Sequence, residues 1–123
     1  MFADPSTVTI NAVAKNLVRI NQDQYSSEYL LRSATDEIRL RIRNTSYLDK
    51  KRNVMIDRHN VELTQTVFPV APATLDIVRK GYFVLENQRG DTLTDPVNVI
   101  AGLMGWATAS TNANLNKLVN FES

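Results

Sequence analysis

Residues 53–68 read NVMIDRHNVELTQTVF, and the second half of this stretch alternates strictly. Arg58, Asn60, Glu62, Thr64 and Thr66 fall on one side, and His59, Val61, Leu63, Gln65 and Val67 on the other. A period of two is the signature of a β-strand with two unlike faces. Val54 and Ile56 are out of phase with Val61 and Leu63. That break predicts either a bulge near residues 57–59 or a strand end whose second face is also covered. One face asks for a core, whereas the other sets a charge, an amide and hydroxyls in a row. Function turns on what covers this polar face.

Working upstream, residues 37–43 spell EIRLRIR, with Ile38, Leu40 and Ile42 facing one way and Arg39, Arg41 and Arg43 the other. Residues 25–32 read as a further strand, and residues 6–10 and 14–21 as an N-terminal hairpin around Asn11-Ala12-Val13. The polar, lysine-rich residues 44–52 read as a loop. The expected result is an antiparallel meander of about five strands with one apolar and one polar side.

Downstream the period changes. Pro69 and Pro72 stop the sheet, and residues 75–88 carry apolar side chains at helical spacing, with Asp76 in the first turn and Gly90 as a left-handed cap. Leu75, Val78, Tyr82 and Leu85 form one stripe, which Ile77, Gly81 and Val84 widen. Thr94-Asp95-Pro96 opens a second helix running to about Trp106, apolar or small nearly all round, with Ala101, Gly102 and Gly105 on a face where another backbone could approach. The expected fold class is therefore α+β: hairpin over 1–22, sheet over 25–68, two helices over 74–106 and a tail over 107–123, in one domain of 123 residues.

One sheet and two such apolar helices make an awkward monomer, because the second helix would show an apolar flank to water and the sheet edges would stay open. A two-fold partner relieves both, so a homodimer is expected, with Leu75, Val78, Tyr82, Leu85, Ile100, Gly102, Leu103 and Trp106 at its interface.

Charge nearly balances, at 14 Lys plus Arg against 13 Asp plus Glu, so total charge does not announce a polyanion partner. Its distribution says more, because residues 32–58 hold eight basic residues against four acidic ones. The absence of cysteine removes disulfides, thiolate catalysis and zinc-thiolate sites. No apolar run approaches a membrane span and the N-terminus lacks a signal-peptide pattern, so a soluble chain kept in a cytoplasm is expected.

If EIRLRIR and VELTQTVF share a sheet, Arg39, Arg41, Arg43, Arg58, Asn60, Glu62 and Thr64 share its polar face. Arginine offers planar donors to phosphates and stacks on bases, while Asn, Glu and Thr read base edges. A plain solvated outer face would alternate in the same way. Three arginines in register without acidic partners would repel one another at close range, which favours an anionic ligand instead.

The order of parts, with INQDQYSSEYLL (20–31) and RHNVELTQTV (58–67), resembles the coat proteins of single-stranded RNA bacteriophages, and most of all the divergent type from a Caulobacter phage. The resemblance implies a capsid protein of a virion assembled in the bacterial host cytoplasm. Its dimers would join their sheets, interlock their helices and hold genomic RNA inside an icosahedral shell. It further implies a maturation protein as partner, no cofactor, and in several relatives repression of translation through an RNA hairpin. The family's RNA-contacting last strand would fall on Arg58, Asn60, Glu62 and Thr64, with arginine at 58 where many relatives carry a stacking tyrosine.

Two rivals remain. An enzyme would use Asp57, His59 and Glu62, but His59 points away from Glu62 on a regular strand and no phosphate loop, nucleophile elbow or metal-ligand spacing occurs. A non-viral dimeric RNA-binding regulatory module would share the basic sheet but stop at the dimer.

Overall fold

The computed structural model describes residues 1–123. Six strands follow one another, β1 (Ser6–Ile10), β2 (Val13–Gln22), β3 (Ser26–Arg32), β4 (Asp36–Asp49), β5 (Val54–Val67) and β6 (Ile77–Gln88), and one kinked helix, α1 (Thr94–Val119), closes the chain. Every neighbouring pair is antiparallel and the spatial order is the chain order.

The expected hairpin and the strands at 25–32 and 37–43 are present. Residues 44–52, expected as a loop, mostly extend β4, and only a turn at 50–53 separates it from β5. Asn53 takes φ 54° there, a left-handed conformation that asparagine tolerates better than most residues. Thr45-Ser46-Tyr47 is β-favouring sequence, and fourteen residue pairs join β4 to β5. The phase break in β5 is not a bulge, since its pairing with β4 and β6 runs unbroken. Ile56 lies on the same face as Arg58 and is nonetheless buried. The sheet's register shift lies in β2, between Arg19 and Asn21.

The largest correction concerns residues 75–88. They form no helix: β6 pairs with β5 along its whole length. The helical stripe is thereby split, with Leu75 in the preceding loop, Val78 and Tyr82 on one sheet face and Leu85 on the other. Both faces of β6 carry apolar groups, which hides the period of two. The β-branched and aromatic residues Ile77, Val78, Tyr82, Phe83 and Val84, with Gly81 mid-segment, favour a strand over a helix.

The second expected helix does begin at Thr94, where Thr92 Oγ donates to Asp95 Oδ2 (2.7 Å) and accepts from the Asp95 amide (3.3 Å). It continues past Trp106 and breaks at residues 109–112, where Ser110, Thr111 and Asn112 adopt positive φ. Three consecutive non-glycine residues in that region strain the backbone. Asn114 Nδ2 bridges the kink by donating to the Trp106 carbonyl at 2.8 Å. The tail expected at 107–123 is thus partly a second helical segment.

The core sits under the N-terminal hairpin. Leu17, Tyr29, Ile38 and Ile42 are buried together, with Val8, Ile10, Leu31, Leu40, Val61 and Leu63 packed around them. Arg19 stacks over the Tyr29 ring and donates to its hydroxyl, so the phenol's polar end is satisfied at the rim of the core. Each fully buried aliphatic side chain there contributes roughly 1.5–3 kcal/mol. α1, by contrast, meets the sheet mainly at β6 and has no buried residue.

Candidate nucleic-acid interface

Cross-strand register assembles the polar face. Arg39 pairs with Thr64, Arg41 with Glu62, Arg43 with Asn60 and Thr45 with Arg58, so all seven expected site residues stand on one face of β4 and β5. The same register continues outward, Glu28 of β3 lying opposite Arg41 and Tyr82 and Lys80 of β6 opposite Glu62 and Thr64. Strict alternation on two adjacent strands is sufficient for this result, because antiparallel partners directly opposite share a face.

The arginines are not free of acidic partners, contrary to the expectation from their own strand. Arg39 is tied to Glu28 and, at 3.3 Å, to Glu37. Arg41 reaches Glu28 at 3.3 Å and Glu62 at 3.9 Å, and Arg43 reaches Glu62 at 3.4 Å and the Asn60 side chain at 3.5 Å. Lys80 stands 3.7 Å from Glu62, and Arg58 stands 3.7 Å from Glu86, which also accepts from the Tyr47 hydroxyl at 3.0 Å. Glu28, Glu62 and Glu86 come from neighbouring strands, so the sequence around EIRLRIR shows only Glu37. Hydrogen bonding from Arg39 holds the Glu28 carboxyl below its usual range, that from Arg32 does the same for Glu37, and Glu28 in turn raises Arg39. The face is a near-balanced lattice of cations and anions, from which Arg41, Arg43, Arg58 and Lys80 project about half-exposed. A shallow depression of about 390 Å³ lies among Arg39, Arg41, Glu62, Thr64 and Lys80.

β5 is not the last strand of the sheet, since β6 follows it and pairs with it. Reading 75–88 as a helix concealed Lys80 and Tyr82. Tyr82 is 67% exposed on the polar face, directly opposite Glu62. The visible signal was the alternation Val78, Lys80, Tyr82, Val84, Glu86.

The residues of the enzyme reading do not converge. His59 and Asp57 lie on the apolar face and Glu62 on the polar one. The His59 ring sits between the Asn44 and Asn87 side-chain oxygens at 2.7 and 2.9 Å. Asp57 accepts from Arg89 and from the Ser46 hydroxyl, both at 2.8 Å, and the Arg89 bond keeps its carboxyl below the usual range.

Of the eight residues expected at an interface, Leu75, Val78, Tyr82, Gly102, Leu103 and Trp106 are exposed in the single chain, and Leu85 and Ile100 are half-buried. A side chain added at Gly102 would meet nothing within 4 Å. No helix is long and apolar enough to cross a membrane.

Among known folds, the chain is similar to the protein of the virus-like particle of Beihai levi-like virus 21, with a TM-score of 0.74 and 14% identity over 97% of this chain and 94% of that one. It is also similar to the protein of the virus-like particle of bacteriophage AVE019, with a TM-score of 0.63 and 8% identity over 96% and 94% of the two chains. At such identities the likeness establishes the fold. No curated protein matches the chain in sequence. The family model described as "Phage phiCb5, coat protein" matches residues 3–88, which span the whole sheet from β1 to β6. The chain therefore belongs to the phage phiCb5 coat protein family.

Proposed function

We propose that the chain forms a homodimer that self-assembles into an icosahedral shell, packaging single-stranded genomic RNA against the polar face of its sheet. The observation that carries this reading is the unfinished surface of the single chain. It exposes 9237 Å² and buries only five residues. A compact monomer of 13.9 kDa exposes roughly 6,700 Å² by the usual size scaling. The excess, about 2,500 Å², has the size of an obligate interface. Exposed apolar side chains run along β6 and α1, at Ile77, Val78, Tyr82, Val97, Val99, Leu103, Trp106, Leu118 and Val119.

A second copy fits this surface. β6 is the terminal strand, so twelve residues of edge backbone await pairing. Pairing two β6 edges would join the two polar faces into one, with Lys80 and Tyr82 near its centre. RNA would then contact Arg39, Arg41, Arg43, Arg58, Asn60, Glu62 and Thr64, together with Lys80 and Tyr82, phosphates meeting the cations and bases the tyrosine and amide. The whole of 1–123 acts as one coat-protein domain in this reading, of the Caulobacter phage type to which stretches 20–31 and 58–67 are similar. A maturation protein and a translational-repressor hairpin are the further partners, and the virion, built in the bacterial host cytoplasm, is its location.

Coat-protein membership makes the chain a structural protein and not an enzyme. Expression of the chain alone in bacteria tests the rest. Size-exclusion chromatography with absorbance at two ultraviolet wavelengths and negative-stain imaging should give a void-volume peak rich in nucleic acid and uniform hollow spheres. A small nucleic-acid-free dimer would instead favour a regulatory module that stops at the dimer.

A further inference from the structure

Glu62 occupies an unusual place on the polar face. Its side chain is only 13% exposed, yet it stands within ion-pair distance of three cations from two other strands: Arg43 at 3.4 Å, Lys80 at 3.7 Å and Arg41 at 3.9 Å. Thr64 Oγ donates to the same carboxylate at 3.3 Å, which helps to hold it in place. Glu28 does the same on the other flank, binding Arg39 and Arg41 together. A surface built only to neutralise phosphate would gain most from cations without carboxylates between them, since affinity for RNA comes chiefly from counterions released as cations meet phosphates. Here each cation already has an anion, and an approaching phosphate must either compete with it or accept its repulsion.

We infer that Glu62, with Glu28 beside it, sets the selectivity of the RNA face by holding Arg41, Arg43, Arg39 and Lys80 in ion pairs, so that an arbitrary phosphodiester chain binds weakly. The two carboxylates are positioning residues. They restrain the cations until an RNA offers additional contacts, such as base stacking on Tyr82, that offset the loss of the pairs. This inference rests on the reading of the polar face as the RNA surface. It assigns Glu62 a role beyond that of a simple contact, namely one that lowers affinity for non-cognate RNA.

The test uses the full chain with Glu62→Gln, Glu28→Gln and the Arg39/Arg41/Arg43 triple substitution to glutamine. Binding of a labelled oligouridine is followed by fluorescence anisotropy across about 50–200 mM KCl. Light scattering confirms that all proteins are compared in the same assembly state. E62Q is expected to bind oligouridine about tenfold more tightly at the low-salt end, with a logarithmic salt slope steeper by about 0.7 for each phosphate gained. E28Q should change both quantities in the same direction and by less. Wild-type affinity and slope in E62Q would overturn the inference, as would weaker binding, which would make Glu62 a direct RNA contact. Should E62Q fail to fold, E28Q decides in its place, and unchanged binding by it overturns the inference. If the triple arginine variant binds like the wild type, or if no protein binds, the RNA-face reading itself fails and this one with it. A changed triple variant beside an unchanged E62Q removes only the role given to Glu62.

Discussion

The two halves of the sheet solve the burial problem differently. On the β1–β4 side the hairpin folds over its neighbours, and Leu17, Tyr29, Ile38 and Ile42 are sealed within one chain. On the β5–β6 side the helix touches the sheet mainly through β6, and apolar groups from Ile77 to Val119 stay open to water. The first half is a core that a single chain can complete. The second is half of a core, and its stability is tied to whatever supplies the other half. A substitution on the first side should therefore act through the fold, and one on the second through association.

The contrast can be broken most directly at Ile38. Ile38→Ala empties a sealed site, and a loss of about 2–5 kcal/mol is expected, read as a lower denaturation midpoint at every protein concentration. A loss that disappears at high concentration would mean that this half, too, is completed by a partner. On the open side, Leu103→Glu changes a residue that is 53% exposed. Little effect on the fold of the single chain is expected, but dimer dissociation should rise at least tenfold by light scattering, because a carboxylate would have to be buried unpaired. An unchanged dimer would place the interface elsewhere.

Gly102→Leu sharpens the comparison further. Nothing in the chain obstructs the new side chain, and leucine is the better helix former by several tenths of a kcal/mol. Helix content should hold or rise while dimerisation weakens, a separation visible by circular dichroism beside sedimentation. Concordant gains in both would show that no second backbone approaches this face.

The smallest expected effect is the pH response of the ion-pair lattice. Glu28, Glu37 and Asp57 all have carboxyl pKa values lowered in the folded chain, chiefly by Arg39, Arg32 and Arg89 respectively. A lowered folded pKa contributes stability that is fully present above the unfolded value, about 4, and is lost as pH falls through the folded value. Thermal denaturation should thus be flat near neutrality and shift to lower temperature below about pH 4. Glu28→Gln should make that acid shift shallower, and an identical acid profile would show that the Arg39 pair adds nothing to stability.

Much of this was legible in residue order alone. Strict alternation in EIRLRIR and RHNVELTQTV is a local property, so β4, β5 and the shared face of Arg39, Arg41, Arg43, Arg58, Asn60, Glu62 and Thr64 could be read directly. The start of α1 was legible for the same reason, since Thr94-Asp95-Pro96 is a local signal. The coat-protein family, too, was within reach of the strand order and two short stretches. Three things required tertiary structure. Residues 77–88 are apolar on both sides, and only pairing with β5 decided between helix and strand. Glu28, Glu62 and Glu86 became partners of the arginines only through cross-strand register, which joins residues as far as 28 positions apart between Arg58 and Glu86. The division between a sealed and an open half depends on where the hairpin folds over the sheet, and that follows from the fit of side chains across the core and not from any local pattern.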